Sequence, residues 1–241
     1  MASKDLISKT DIFILTGELS ADKLAYDLLY PLHKKYHIEG FVGPHLKQLK
    51  IKEIGSIENF SVMGISKPLS SLWKIYKCVG KVLTQIKRKN PKIVILVDLP
   101  DINLYVAKKL RSRGYKGKIV QVVCPTIWAW RAKRKGTLEK YYDHLMCLFP
   151  FEKELFKDSK LPVSYIGHPL LASTEVQTIN KKNIIAIFPG SRKQEIKYLL
   201  PNFLKATEGL KEYQIHISVA KTSLLHLIKT STVFGETPLF G

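Results

Sequence analysis

Acidic side chains are scarce in this sequence, and its middle has almost none. Twenty Asp and Glu stand against 39 Lys and Arg, and between Asn59 and Leu138 eighteen basic residues meet only two carboxylates, Asp98 and Asp101. The resulting formal charge of +19 favours anionic partners such as nucleic acid, phosphorylated substrates or an acidic membrane surface, without choosing among them. Cysteine is almost as rare. Cys78, Cys124 and Cys147 are odd in number, widely spaced and each in apolar surroundings, which excludes a disulfide framework or a thiolate metal cluster and suits reduced core residues of a cytosolic protein. No window comes near the roughly 18 uninterrupted apolar residues of a membrane span, and the first nine residues contain no apolar segment of the kind that directs export. Repeats and low-complexity tracts are also missing. The first glycine turn, around Gly17, has one glycine rather than the three of a dinucleotide fingerprint, so a nicotinamide or flavin role is rejected.

What is present is an ordinary globular composition, 45% apolar and 24% charged over 241 residues, enough for one large or two small domains. Its centre is the run from Ile93 to Asn103. A β-branched stretch bounded by Pro91 and Pro100 reads as a strand buried on both faces, and ligands of open parallel sheets bind beyond the carboxyl ends of such strands. Asp98 and Asp101 stand at that end. The plain alternative is that Asp98 merely closes the strand and Asp101 caps a helix starting near Asn103.

Around this centre the pattern is one of β-loop-α units. Asp11 to Leu15 is a strand, Thr16 to Asp22 its loop, and a helix is expected from about Lys23 to Lys35; Gly40 to Gly43 is a second strand. Leu69 to Ile86 is strongly amphipathic, with Leu69, Leu72, Trp73, Tyr76, Val79, Leu83 and Ile86 on one side and Lys74, Lys77, Lys81 and Arg88 opposite. This is either a helix packed on the sheet with its basic face in water or an interfacial anchor, in which Leu69, Leu72, Trp73 and Tyr76, with Met63 just before them, meet acyl chains while lysines meet headgroups. Further on, Leu104 to Arg113 reads as a helix and Lys118 to Val123 as a strand. Then come Trp128, Trp130, Arg131, Lys133 and Arg134 within seven residues: a stacking surface for bases, a phosphate or membrane-interface segment, or core tryptophans flanked by solvated cations. Strands at 144–149 and 163–167 close a first domain, 10–168; residues 169–182 are the expected linker. In a second domain, 183–241, the strand at 183–188 leads through Pro189-Gly190-Ser191-Arg192 into a helix. The free N–H groups there favour an anion that Arg192 can grip, though Ser191 as a simple cap explains the turn equally well. Two β-α units in about 60 residues make a marginal core, so this second domain is expected to be incomplete.

In order, Gly17-Glu18-Leu19-Ser20-Ala21-Asp22, Val62-Met63-Gly64-Ile65, Asp98-Leu99-Pro100-Asp101-Ile102-Asn103, Trp128-Ala129-Trp130-Arg131, Phe149-Pro150-Phe151-Glu152, Ile166-Gly167-His168 and Pro189-Gly190-Ser191-Arg192 resemble the motifs of the lipid-A-disaccharide synthase family, bacterial membrane-surface glycosyltransferases. The resemblance implies a GT-B-like α/β fold of two Rossmann-like domains. It implies an inverting transfer from UDP-2,3-diacylglucosamine to 2,3-diacylglucosamine 1-phosphate (lipid X), at the cytoplasmic face of the inner membrane, without metal ion or cofactor. Asp98 matches the family's base and Arg192 would stabilise the leaving diphosphate; Glu18, Ser20, Asp101, Asn103, Trp130, Arg131, Gly190, Ser191 and Glu195 would contact substrates. Ala21 departs from the glycine usual there, adding a methyl group at a tight loop that is expected to narrow the pocket. The later donor-binding segment of the family, on which a homodimer would also depend, has no counterpart in this sequence. Two other readings compete. A UDP-sugar epimerase or soluble-acceptor transferase of the same fold would not bind anionic vesicles, and a nucleic-acid binder would depend steeply on salt but not on Asp98.

Overall fold

The structure, a computed structural model, describes residues 10–57, 60, 69–129, 131–169, 171, 183–220 and 222–231; in the helix at 69–89 the side chains of residues 69–72 and 74 are not among them. The chain divides into two compact units, Met1–Thr174 and Glu175–Gly241.

The first unit is a doubly wound α/β layer. Its strands are β1 (Ile12–Leu15), β2 (Ile38–Val42), β3 (Lys52–Ser56), β4 (Ile93–Val97), β5 (Lys118–Val122), β6 (His144–Cys147) and β7 (Val163–Tyr165). They form one sheet in the order β3-β2-β1-β4-β5-β6-β7, parallel at every pairing. Between them run α1 (Leu19–Leu29), α2 (Pro44–Gln48), α3 (Leu69–Lys89), α4 (Pro100–Ser112), α5 (Arg134–Tyr141) and α6 (Pro150–Glu154). Burial on both faces explains why β4 is apolar throughout. Val94 and Leu96 join the cluster formed with α3, α4 and α5, while Ile95 and Val97 join the opposite cluster with α1 and α2. Each such side chain contributes about 1.5–3 kcal/mol by leaving water. All three cysteines are free and buried, and burial pushes the thiols of Cys78 and Cys124 up to about 11 and about 12.

Several expectations need correcting. α1 starts at Leu19, four residues early, and ends at Leu29, so Ala21 lies inside a helix with its methyl group in the core rather than in a loop where it would narrow the pocket. α4 starts at Pro100 with Leu99 at its N-cap, because proline, a helix breaker in mid-run, is well suited to the first helical position. Asp101 therefore sits within the first turn and caps nothing. β3, α2 and α5 were not expected. Phe60 is buried against Phe41 with ring centroids 5.6 Å apart.

The second unit holds β8 (Ile184–Ile187) and β9 (Gln214–Ile217), a parallel pair, with α7 (Lys193–Thr207), a 3-10 turn (Thr222–Leu224) and α8 (Leu225–Ser231). Ile187, Ile196, Leu200, Ile217, Leu224 and Ile228 form its core.

Candidate functional site

The chain leaves β1 toward β2 on one side and β4 toward β5 on the other, so the sheet reverses its winding between β1 and β4. A crevice opens at the carboxyl ends of two such strands because their connections run away from each other. Glu18 ends the loop after β1, at the N-cap of α1, and Asp98 is the first residue after β4. The two loops pass in contact: a Cβ on Gly17 would lie 2.2 Å from Leu99 Cδ1, so the first loop needs its glycine. Burial, with the Glu18 carboxylate second, holds Asp98 above the ordinary carboxylate value, against a hydrogen bond from the Leu99 N–H.

The backbone here is strained. Asp98 and Leu99 are both left-handed, with φ of 53° and 49°, and Val123, at the end of the neighbouring strand, has φ of 71°. Each costs about 1–2 kcal/mol for an L-residue, and for β-branched Val123 the conformation is a true outlier. Asn103, expected to contact substrate, is fully buried, and its side-chain amide donates to the Asp98 carbonyl. Asp101 is exposed and pairs with Arg131 Nη1 at 2.9 Å and with Arg134, tying the start of α4 to the loop after β5. Ser20 is exposed in the first turn of α1. Asp22 of the same motif is buried and accepts from the N–H groups of Gly43 (2.6 Å) and His45 (2.8 Å), so it locks α1 to the turn after β2.

Beyond β5, β6 and β7 four rings follow one another. Trp128 meets Phe151 edge-on at 5.6 Å, Phe151 stacks on Phe149 at 5.8 Å, and Phe149 reaches His168 at 5.8 Å. Trp128, Phe149 and Phe151 are exposed; the sequence placed Trp128 in a suspect segment but gave no sign that the other rings would join it. Trp130 and Met63 lie outside the described residues. On α3, Val79, Leu83 and Ile86 are buried, whereas Trp73 and Tyr76 are 60% and 61% exposed, stacked at 5.9 Å, with Lys77 Nζ over the Trp73 ring at 5.4 Å. The helix is thus core along its later turns and carries an exposed aromatic pair near its start. Leu69 and Leu72 belong to the same helix.

In the second unit, Gly190 adopts φ of 110°, and a Cβ there would lie 2.6 Å from Glu195 Oε2. Glu195 itself fills the helix start: Oε2 accepts from Ser191 N at 3.0 Å and Arg192 N at 3.1 Å, and Oε1 from Arg192 Nη1 at 2.7 Å. Arg192, not Ser191, occupies the N-cap. The Arg192 guanidinium holds Glu195 below the ordinary value, so the anion at this helix start is the chain's own carboxylate.

Residues 12–231 match the family described as lipid-A-disaccharide synthetase. Lipid-A-disaccharide synthase of Chlamydia trachomatis serovar D is 38% identical over 95% of this chain and 41% of its own length; that of Francisella philomiragia is 34% identical over 88% of this chain and 61% of its own length. The chain therefore spans between about two fifths and three fifths of these relatives. In fold it is similar to the UDP-GlcNAc 2-epimerase from Neisseria meningitidis bound to UDP-GlcNAc (TM-score 0.59, 13% identity, 96% of this chain and 71% of that one) and to S. aureus MnaA in its co-structure with UDP (TM-score 0.61, 10% identity, 95% and 69%). With the family's match running from β1 to the end of α8, and with Glu18, Asp98 and Arg192 each at a strand or helix end within it, this chain belongs to the lipid-A-disaccharide synthetase family.

Proposed function

We propose that this chain works as the acceptor-side part of an inverting glycosyltransferase, joining UDP-2,3-diacylglucosamine to 2,3-diacylglucosamine 1-phosphate with release of UDP. The observation that carries this reading is Asp98: a carboxylate in the crevice between β1 and β4, held above its ordinary value by burial and Glu18. A general base gains from a raised pKa as long as it stays ionised at working pH. Asp98 takes the proton from the acceptor 6-hydroxyl, whose oxygen attacks the anomeric carbon from the face opposite the diphosphate. The bond to the diphosphate breaks, and UDP leaves with the electron pair. In the second unit, Arg192 is a group that can exchange Glu195 for a phosphate and offset its charge. Family membership and relatives named lipid-A-disaccharide synthase support these substrates, and the UDP and UDP-GlcNAc carried by proteins of similar fold support a nucleotide-sugar donor.

The site of action on this reading is the cytoplasmic face of the inner membrane. The Trp73–Tyr76 stack enters the headgroup region, and Lys77 and its basic neighbours meet anionic lipid. Among the described residues no helix is long and apolar enough to cross a membrane.

The test is product identity by mass spectrometry, with both acylated substrates in detergent. The chain alone is expected to turn over slowly, and joining it to the remaining length of the Francisella relative to raise the rate. Disaccharide phosphate and UDP should appear together and be lost with Asp98→Asn. An epimerised UDP-sugar, or UDP released without disaccharide, would replace the transferase with another activity of the same fold.

A further inference from the structure

Gln121 is a polar side chain, 1% exposed, in a strand whose other inward residues are apolar. The two N–H groups of its Nε2 are shared among three carbonyls: Asp98 O at 3.3 Å, Val122 O at 3.1 Å and Val123 O at 3.1 Å. Its Oε1 accepts from Asn103 Nδ2 at 3.3 Å, and the same Asn103 nitrogen donates to Asp98 O. Asp98 N in turn donates to Val122 O at 2.9 Å. The Asp98 peptide is thus held at both its N–H and its carbonyl, and the carbonyl is shared by two buried amides. The residues so held are the left-handed ones, Asp98 and Val123, with Leu99 adjoining. A side chain placed only to fill space would not need donors, and a leucine or methionine would fill this volume at less desolvation cost.

We propose that Gln121, with Asn103 as its partner, is a positioning residue for Asp98, holding the turns after β4 and β5 so that the carboxylate stays in the crevice beside Glu18. Its consequence for turnover rests on the reading of Asp98 as the base; its geometry does not. Three variants separate the roles. Gln121→Met keeps the volume and removes both the donors and the acceptor. Asn103→Ala removes the second amide. Gln121→Glu keeps the shape but offers one O–H donor when neutral and none when ionised.

The readout is the Asp98 carboxyl signal in carbon-13 NMR of the labelled chain, assigned by its loss in Asp98→Asn and followed through a pH titration. In the unaltered chain its midpoint lies above the ordinary carboxylate value. In Gln121→Met it falls toward that value, because the carboxyl moves away from Glu18 and into water; Asn103→Ala shifts it the same way. In Gln121→Glu the Asp98 and Leu99 amide signals stay near their unaltered positions at acid pH and move as the new carboxyl ionises. Where turnover is measured, Gln121→Met lowers kcat by about 100-fold, as for a misplacement of about 1 Å, with KM little changed. A folded Gln121→Met chain with the Asp98 midpoint unmoved overturns the proposal. If that variant does not fold, Gln121→Glu decides: amide signals of Asp98 and Leu99 that ignore its ionisation overturn it equally. Failure of the catalytic reading looks different, since turnover would then survive Asp98→Asn whatever Gln121 does.

Discussion

Among single residues, the acids of the sequence motifs divide into two kinds. Asp22, Glu152 and Glu195 each accept from a pair of backbone N–H groups in a neighbouring turn, and so act as clamps. Glu152 is buried, 4% exposed, and accepts from Leu148 N and Phe149 N at 3.1 and 3.0 Å. Glu152→Ala should therefore cost about 3 kcal/mol by leaving buried donors unpaired, read as a lower denaturant midpoint. Asp98 belongs to the other kind, and its stability effect has the opposite sign to that of Glu195, which the Arg192 guanidinium holds below the ordinary value. The folded pKa of Asp98 is raised, chiefly by burial, so its contribution to stability is present below the ordinary carboxylate value and is lost as pH rises through the folded one. Asp98→Asn should melt higher than the unaltered chain at neutral pH, with the gap closing in acid, while product formation drops by at least about 100-fold. Asp98 was legible in the sequence because it was one of two acids among eighteen cations. Gln121 was not, since a lone glutamine in a strand carries no signal until the carbonyls around it are known.

At the level of elements, strands buried on both faces declare themselves by continuous apolar runs, and β1 and β4 were read within a residue or so. β3 was missed because Lys52-Glu53-Ile54-Gly55-Ser56 is an edge strand without an apolar run or clean alternation. α5 was missed because it buries only Leu138. The amphipathic pattern of α3 was legible, but only packing could show where along the helix buried side chains give way to the exposed Trp73 and Tyr76. That division can be tested on the helix itself. Trp73→Ala and Tyr76→Ala together should weaken flotation with anionic vesicles several-fold without shifting the melting temperature, because both side chains lie in water. Ile86→Ala, fully buried, should cost about 2–5 kcal/mol and leave flotation of the folded protein unchanged. The reverse pattern would make the aromatic pair structural.

Over the whole molecule, charge is sorted by sheet edge in the first unit. Near the amino ends of the strands, acids are neutralised in place: Asp11 by Lys92 at 2.9 Å, buried Glu39 by Lys89 at 3.2 Å, and Asp143 by Arg111, with Lys118 at 3.5 Å. At the carboxyl ends Asp101 is paired with Arg131 and Arg134, whereas Asp98 is raised beside Glu18, in a chain whose formal charge is +19. Such a field draws anions from a distance and is screened by salt. Flotation with anionic vesicles should fall steeply between low and physiological salt, and neutral vesicles should recover far less protein at either. Equal recovery on both would assign binding to apolar contact alone. A nucleic-acid binder would share the salt dependence but would not need Asp98. The most direct measurement is therefore the rate of disaccharide phosphate formation against pH, in the chain joined to the remaining length of its Francisella relative, with Asp98→Asn and Glu18→Gln beside it. With Asp98 as the general base, the acidic limb moves to lower pH in Glu18→Gln, as the neighbouring charge is removed, and Asp98→Asn loses at least about 100-fold. A rate within about twofold of the unaltered protein in Asp98→Asn, far from the 10²-fold or more that a general base contributes, would contradict that role.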